Sequence, residues 1–321
     1  MIPKEIIEKN FNNCLDDTSF LPLPNRKKGK VRDTYDLGDK LLLITTDRQS
    51  AFDRILANIP FKGQVLNQVS AFWFEQTRDI VPNQVIEIPD SNVTLAKKCS
   101  VLPIEFVMRG YLTGSTDTSA WTQYAKGVRE LCGNKLPQGM VKNQKFEKPI
   151  LTPTTKSDLH DESISPAEIL SRGLISAAVW KQCETIVVKL FERGTRIADA
   201  HGLILVDTKY ELGIDANGRV TLIDEIHTPD SSRYWLAQSY ETRFRNKQEP
   251  ENIDKEFLRL WFRDHCDPYK DKVLPEAPAE LVIELSSRYI KLYEMITGKQ
   301  FEIDASIPVK DRLQKNLRKY F

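Results

Sequence analysis

Residues 202–233 read GLILVDTKYELGIDANGRVTLIDEIHTPDSSR, and the fold turns on this stretch. Its first half has the period of a β-strand, so Asp207, Lys209 and Glu211 share one face and Val206, Thr208 and Tyr210 the other. Asn217-Gly218 is a strong hairpin signal, because a type I′ turn needs positive φ at both central residues. With those two residues at the turn, Ala216 pairs with Arg219 and Glu211 falls opposite Asp224. Directly opposed Cβ atoms lie about 4.5–5.5 Å apart, where like charges repel. Two readings of the acidic pair are open at this point. Either a hard cation bridges it, and oxygen-only ligands suit Mg²⁺, which takes one or two carboxylates plus substrate phosphates; or Lys209 neutralises one carboxylate on a solvated face.

Working outward, Lys30–Leu37 reads as a strand ending at a Gly38-Asp39 turn, and Leu41–Thr46 as a short buried strand. Gly63–Arg78 carries apolar residues at helical spacing, and Ile104–Arg109 is strand-like. Residues 127–163 are rich in Gly, Pro, Lys and Asn and predict a long excursion or flap. Helices are predicted at Pro166–Arg172, at Ser176–His201 with Gly202 as C-cap, and at about residues 254–264 and 278–297, the last ended by Gly298. The tail, 301–321, is basic and amphipathic, with no assigned role. Strands and helices mix without regular βαβ alternation, which predicts an α+β fold. With 321 residues, about two domains are expected: an N-terminal lobe over 1–112 and a second lobe over 113–321.

Three further segments concentrate polar chemistry. Lys28-Gly29-Lys30-Val31-Arg32 offers a glycine, where backbone can approach a phosphate, flanked by Lys30 and Arg32; basic residues before a strand are also commonly just solvated. Arg109 leaves an apolar strand into the turn Gly110–Ser115, a composition that cradles an anion or forms an ordinary turn with an exposed Arg. Thr46–Asp53 follows a buried strand and places Ser50 where binding residues often sit, or where it caps a helix.

Composition sets exclusions. Lys plus Arg (46) and Asp plus Glu (45) nearly cancel, giving a net charge of +1 and no global attraction to nucleic acid or anionic membrane. Cys14, Cys99, Cys132, Cys183 and Cys266 are scattered and form no C-x-x-C pair, which argues against zinc and against disulfides. Nor do the four histidines pair at i,i+3 or i,i+4. The N-terminus lacks the apolar region of a secretory signal, and no apolar run approaches the length of a membrane span. A soluble, cytoplasmic protein is expected. There is no P-loop and no G-x-G-x-x-G, so a nucleotide must be held in another way.

Taken together, GKVRDTYDLG, TTDRQSAFD, PIEFVMRGYLTGS, ILTPTTK with HDE after it, GLILVDTKYELG and LIDEIHTPDSSRYW closely resemble the SAICAR synthetase (phosphoribosylaminoimidazole-succinocarboxamide synthase) family, in order across about residues 29–298. HDE and the extended C-terminal helices look like the family's longer form. The resemblance implies an ATP-dependent ligase of purine biosynthesis. It joins 5-amino-1-(5-phosphoribosyl)imidazole-4-carboxylate to L-aspartate through an acyl phosphate, using ATP and Mg²⁺. It implies an antiparallel nucleotide-binding lobe, loosely like kinase and ATP-grasp folds, set against a larger α+β lobe. By the same resemblance Gly29, Lys30 and Arg32 cover the ATP phosphates and Glu105 meets the adenine amine. Glu211 and Asp224 hold Mg²⁺. Arg109, Ser115 and Arg233 clamp the ribotide phosphate, Asp207 its ribose hydroxyls, and Lys209 and Ser50 touch the reacting groups. Its partners are small molecules, with neither nucleic acid nor membrane among them. A phosphotransferase and a non-catalytic nucleotide-binding module are the competing classes.

Overall fold

A computed structural model describes residues 2–52, 54–116, 118–156, 162–253, 255–303 and 307–321. A short helix α1 (Lys4–Lys9) precedes a β-meander of β1 (Arg26–Lys28), β2 (Arg32–Asp36) and β3 (Lys40–Thr45). A side hairpin, β4 (Arg48–Ala51) and β5 (Arg54–Asn58), leads into α2 (Lys62–Gln76), and β6 (Val85–Asp90) and β7 (Val93–Lys97) return to the meander. The result is a five-stranded antiparallel sheet of order β1-β2-β3-β7-β6. The Gly38 turn forms as expected, with φ +98°, and β1 is a strand that its polar sequence RKK concealed.

The second sheet is built on β8 (Ser100–Leu112). After α3 (Ala120–Ala125) come the paired β9 (Glu130–Leu131) and β10 (Asn134–Lys135), then β11 (Gln144–Leu151) and β12 (Thr154–Thr155). The expected flap is therefore partly sheet: β11 and β12 pair antiparallel with β8, and Leu131, Leu136, Met140 and Phe146 bury against Leu112 and Tyr124. A solvated edge strand leaves little hydrophobic period to read. Helices α4 (Pro166–Ser171) and α5 (Ala177–Ala200) follow. Ser165 and Glu168 form a capping box on α4, and Ser176 caps α5.

Strands β13 (Leu203–Ile214), β14 (Val220–Ile223) and β15 (Ser232–Leu236) complete a six-stranded antiparallel sheet, its main order β11-β8-β13-β14. Helices α6 (Ala237–Arg245), α7 (Glu256–His265), α8 (Ala279–Thr297) and α9 (Val309–Asn316) close the chain. One large core joins α2, α5 and α8 to this sheet, with Phe106 stacked on Trp180 at 5.8 Å. The antiparallel sheets and mixed helices make the class α+β.

Two features cut across the expected lobe boundary after residue 112. Residues 100–112 hydrogen-bond in the second sheet, because β8 pairs with β13 rather than with β7. The basic tail returns to the first sheet: Val309, Leu313 and Leu317 pack on Leu15, Tyr35, Leu42, Ile44, Val93 and Leu95. Arg312 clasps Asp90 at 3.1 Å, and the Asn13 side chain accepts from the Val309 amide at 2.8 Å.

Candidate active site

The hairpin after β13 closes one residue away from the expected register. Ile214 pairs with Val220, and Glu211 faces Ile223 instead of Asp224. Asp215 causes the slip. Its Oδ1 accepts from the amides of Asn217 (2.9 Å) and Arg219 (3.0 Å), which closes a three-residue loop with Gly218 at φ +76° in place of the two-residue type I′ turn. A one-residue slip would carry Asp224 to the wrong face. The backbone corrects for it: β14 ends at Ile223, and Asp224 adopts φ +64°. Gln84 Nε2 holds this kink by donating to the Asp224 carbonyl at 3.0 Å, while residues 82–84 run along the edge of β14.

The carboxylate directly opposite Glu211 is Glu105, on β8. Lys209, one step along the same face of β13, donates to Glu105 Oε1 at 2.8 Å and also to Glu211. Lys156 reaches the other Glu211 oxygen. Lys209 is half-buried, and the desolvation disfavours its charge, yet Glu211, Asp224 and Glu105 together hold its pKa well above the ordinary lysine value. Burial and then the charge of Asp224 push Glu211 upward, against the pull of Lys209 and Lys156. Asp224 is only half-buried; desolvation raises its pKa too, but Arg32 first and then the same two lysines hold it below the usual carboxylate range.

Arg32 is the strut between the sheets. From β2 it pairs with Asp224, with Glu225 Oε2 at 3.3 Å, and with the Thr45 hydroxyl at 3.3 Å. Just before it, Gly29 N donates to Arg32 O at 3.0 Å, leaving Lys30 and Val31 at the tip of the β1–β2 turn. Buried Arg48 braces that turn from behind: Nη2 donates to the Gly29 carbonyl at 2.9 Å, Nε to that of Lys30 at 3.3 Å, and the guanidinium pairs with Asp33 at 2.5 Å. Asp47 ties the Leu15 amide (2.6 Å) to that of Gly63 (2.8 Å) at the start of α2. Ser50 is buried on β4, opposite Ile55. Among the described residues no hydrogen bond joins Ser50 to Lys209.

Four residues back along β13, Asp207 lies opposite Arg109 on β8 and Arg233 on β15. Its Oδ2 accepts from Arg233 Nη1 at 2.8 Å and has Arg109 Nη1 at 3.6 Å. Thr152 Oγ1 orients Arg109 through Nε at 2.8 Å. Burial lowers the Arg109 pKa, and Asp207 opposes that shift. Gly114, at φ +114°, packs so closely that an added Cβ would lie 2.4 Å from Ser119 Cβ and 3.4 Å from Arg233 Nη1, so the turn before Ser115 passes beside Arg233. The Ser115 hydroxyl donates to Glu256 on α7.

The family model for SAICAR synthetase matches residues 25–276. The chain belongs to the SAICAR synthetase family. It is 61% identical over 308 residues to a phosphoribosylaminoimidazole-succinocarboxamide synthase of Legionella pneumophila strain Paris, covering 96% of this chain and 98% of that one. A chloroplastic synthase of Arabidopsis thaliana is 59% identical over 315 residues, covering 97% of this chain and 77% of that one. Among solved structures, a SAICAR synthase from Saccharomyces cerevisiae complexed with SAICAR superposes with a TM-score of 0.77 at 32% identity, over 90% of this chain and all of that one. A type-2 SAICAR synthetase in complex with ADP gives a TM-score of 0.67 at 26% identity, over 87% of this chain and all of that one. The chain is thus a carbon–nitrogen ligase of purine biosynthesis.

The structure gathers Glu105, Lys209, Glu211, Asp224 and Arg32 into one cluster and Arg109, Asp207, Arg233 and Ser115 into a second. Lys156 and Glu225 belong to the first cluster and Glu256 to the second; sequence reasoning missed all three. Lys156 comes from the segment read as a flap. Glu225 follows Asp224 and, by strand alternation, points away; the kink after β14 removes that alternation. A third missed group lies just before β15: Asp230 accepts from fully buried Lys62 (3.1 Å), Lys255 (3.0 Å) and the Tyr289 hydroxyl (3.0 Å). His160 and Asp161, of the HDE block, lie outside the described residues. No helix among the described residues is long and apolar enough to cross a membrane, and the five cysteines are free thiols.

Proposed function

We propose that the enzyme transfers the γ-phosphoryl group of ATP to the carboxylate of the imidazole ribotide, and that the amine of L-aspartate then displaces the phosphate from the acyl carbon. A carboxylate is a poor electrophile because its leaving group would be oxide; phosphorylation provides a good one. Nitrogen forms the new bond, the acyl C–O bond to phosphate breaks, and the amine loses a proton. ADP, phosphate and the succinocarboxamide are released.

The observation that carries this reading is the spacing along β13. One strand face presents an arginine-flanked anion subsite at Asp207 and a carboxylate–lysine cluster at Glu211, roughly 13 Å apart at about 3.3 Å per residue. That span suits a phosphorylated ribotide whose phosphate sits at one end and whose carboxylate meets the nucleotide at the other. Arg109, Arg233 and Ser115 bind the phosphate, and Asp207 turns to the ribose. Lys209, at the other end, faces the reacting carboxylate and transferred phosphoryl group, and Ser50 is assigned to the same reacting groups from β4. The braced turn of Gly29 and Lys30, with Arg32 behind, covers the ATP phosphates, and Glu105 reaches the adenine side. These roles are positioning and charge neutralisation, the main demands of phosphoryl transfer.

The residues present fit a hard dication. Among the described residues no group of three or more Asp, Glu, His or Cys side chains forms a metal site. Two carboxylates plus phosphate and water oxygens are nonetheless the usual Mg²⁺ shell. Glu105, Glu211, Asp224 and Glu225 set four carboxylates against three cations, Lys209, Lys156 and Arg32. Glu211 and Asp224 would hold Mg²⁺, which when bound neutralises charge on the transferring phosphoryl group. The free, scattered thiols support a cytosolic location.

A coupled ADP-release assay tests the reading. ADP release should require the ribotide and rise strongly with L-aspartate. Aspartate-independent release of a stable phosphorylated product would replace it with a phosphotransferase.

A further inference from the structure

The Ser115 hydroxyl already holds an anion. It donates to Glu256, whose other carboxylate oxygen lies 3.1 Å from Arg259 Nη1 one turn along α7. Burial pushes the Glu256 pKa up, but Arg259, the Ser115 hydrogen bond, Arg233 and Arg263 hold it below the usual carboxylate range, so it is charged at neutral pH. A cavity of about 610 Å³ opens beside it, lined by Phe52, Ser115, Thr116, Glu256, Arg259 and Arg263. Arg259 has its guanidinium 5.3 Å from the centre of the Phe52 ring.

We propose that Glu256 sets the affinity and selectivity of the ribotide site: its carboxylate stands in the anion subsite at Ser115 until the incoming phosphate displaces it, and Arg259 then passes to that phosphate. The inference rests on the reading of Arg109, Ser115 and Arg233 as the phosphate clamp. Exchange of one anion for another keeps Arg259 compensated in both states, so its half-buried guanidinium is not left without an anion. It also makes the site selective. A dianionic phosphate outcompetes a carboxylate for these donors, whereas a neutral hydroxyl, as on the dephosphorylated nucleoside, does not.

Inorganic phosphate is the probe, measured by calorimetry and as a competitive inhibitor against the ribotide. Glu256→Gln should bind phosphate about tenfold more tightly than the wild type, the ratio expected for losing one competing charge-assisted contact. KM for the ribotide should fall with it, while KM for ATP stays the same; a merely structural role would not split the two. Arg259→Ala should bind phosphate about tenfold more weakly. If Glu256→Gln folds poorly, Glu256→Ala serves, with the same expected direction. Phosphate binding by the folded Glu256 variant that is no tighter than wild type overturns the proposal. If Arg233→Ala weakens phosphate binding in that case, the clamp reading survives alone; if it does not, both fail.

Discussion

Glu211 and Glu105 face each other directly across β13 and β8, and Lys209 Nζ donates to both. A cross-strand pair of like charges is destabilising unless something positive stands between them, and here a side chain of the same strand does so. Lys209→Met removes that compensation. We expect a stability loss of about 1–3 kcal/mol in urea unfolding, the cost of leaving a buried charged group without its partner, together with loss of turnover. Unchanged stability would mean that Lys156 alone neutralises Glu211.

Asp224→Asn separates charge from conformation. Asn tolerates the left-handed backbone that Asp224 adopts at φ +64°, so the kink and the Gln84 hydrogen bond should survive. Turnover should nevertheless fall by about 10² or more if the carboxylate helps to neutralise the transferring phosphoryl group. Near-wild-type kcat in both Asp224→Asn and Glu211→Gln would remove these residues from the Mg²⁺ assignment.

Arg109 and Arg233 share Asp207. Arg109→Ala or Arg233→Ala should weaken ribotide binding by the loss of a charge-assisted phosphate contact of about 1.5–3 kcal/mol, leaving the ATP affinity unchanged. Titration of each variant with ribotide checks this, and an unchanged Kd removes that arginine from the clamp.

His227 provides a pH signature of the fold. It is buried with Nε2 against the Tyr210 hydroxyl at 2.5 Å, and burial pushes its pKa down to about 3. An unfolded histidine titrates near 6.5. The folded state therefore binds fewer protons than the unfolded state between these values. Its contribution to stability is present above about pH 6.5 and is lost as pH falls toward about 3. Urea midpoints should drop with acid over this window, and His227→Asn should flatten that slope. An equally steep slope in the variant would assign the effect to other groups.

The C-terminal tail should behave as part of the first sheet. Leu313 and Leu317 are fully buried against β3 and β7 side chains, so Leu313→Ala should cost about 2–5 kcal/mol. Hydrogen exchange in β3 and β7 should accelerate, and ATP affinity should drop as the Arg48-braced turn loosens. Unaltered exchange in those strands would show that the tail rests on the sheet without supporting it.

What the sequence determined alone is what depends on neighbours along the chain. Alternation placed Asp207, Lys209 and Glu211 on one face, helical period marked α2 and α5, and Gly38 and Gly298 marked a turn and a helix end. Local backbone preference and side-chain period carry these features, and both are written in a few consecutive residues. Tertiary structure decided which distant groups meet. The Asp215 side chain selected a three-residue loop over the Asn217-Gly218 turn, and so exchanged Asp224 for Ile223 opposite Glu211. Pairing of β8 with β13 brought Glu105 to Glu211, and the Arg32 side chain reached from β2 in the first sheet to Asp224 at the end of β14 in the second. Register, long-range pairing and the return of the tail to the first sheet depend on how whole elements bury their apolar faces. No local window contains that information, which is why the types of residue in the site were legible while their contacts were not.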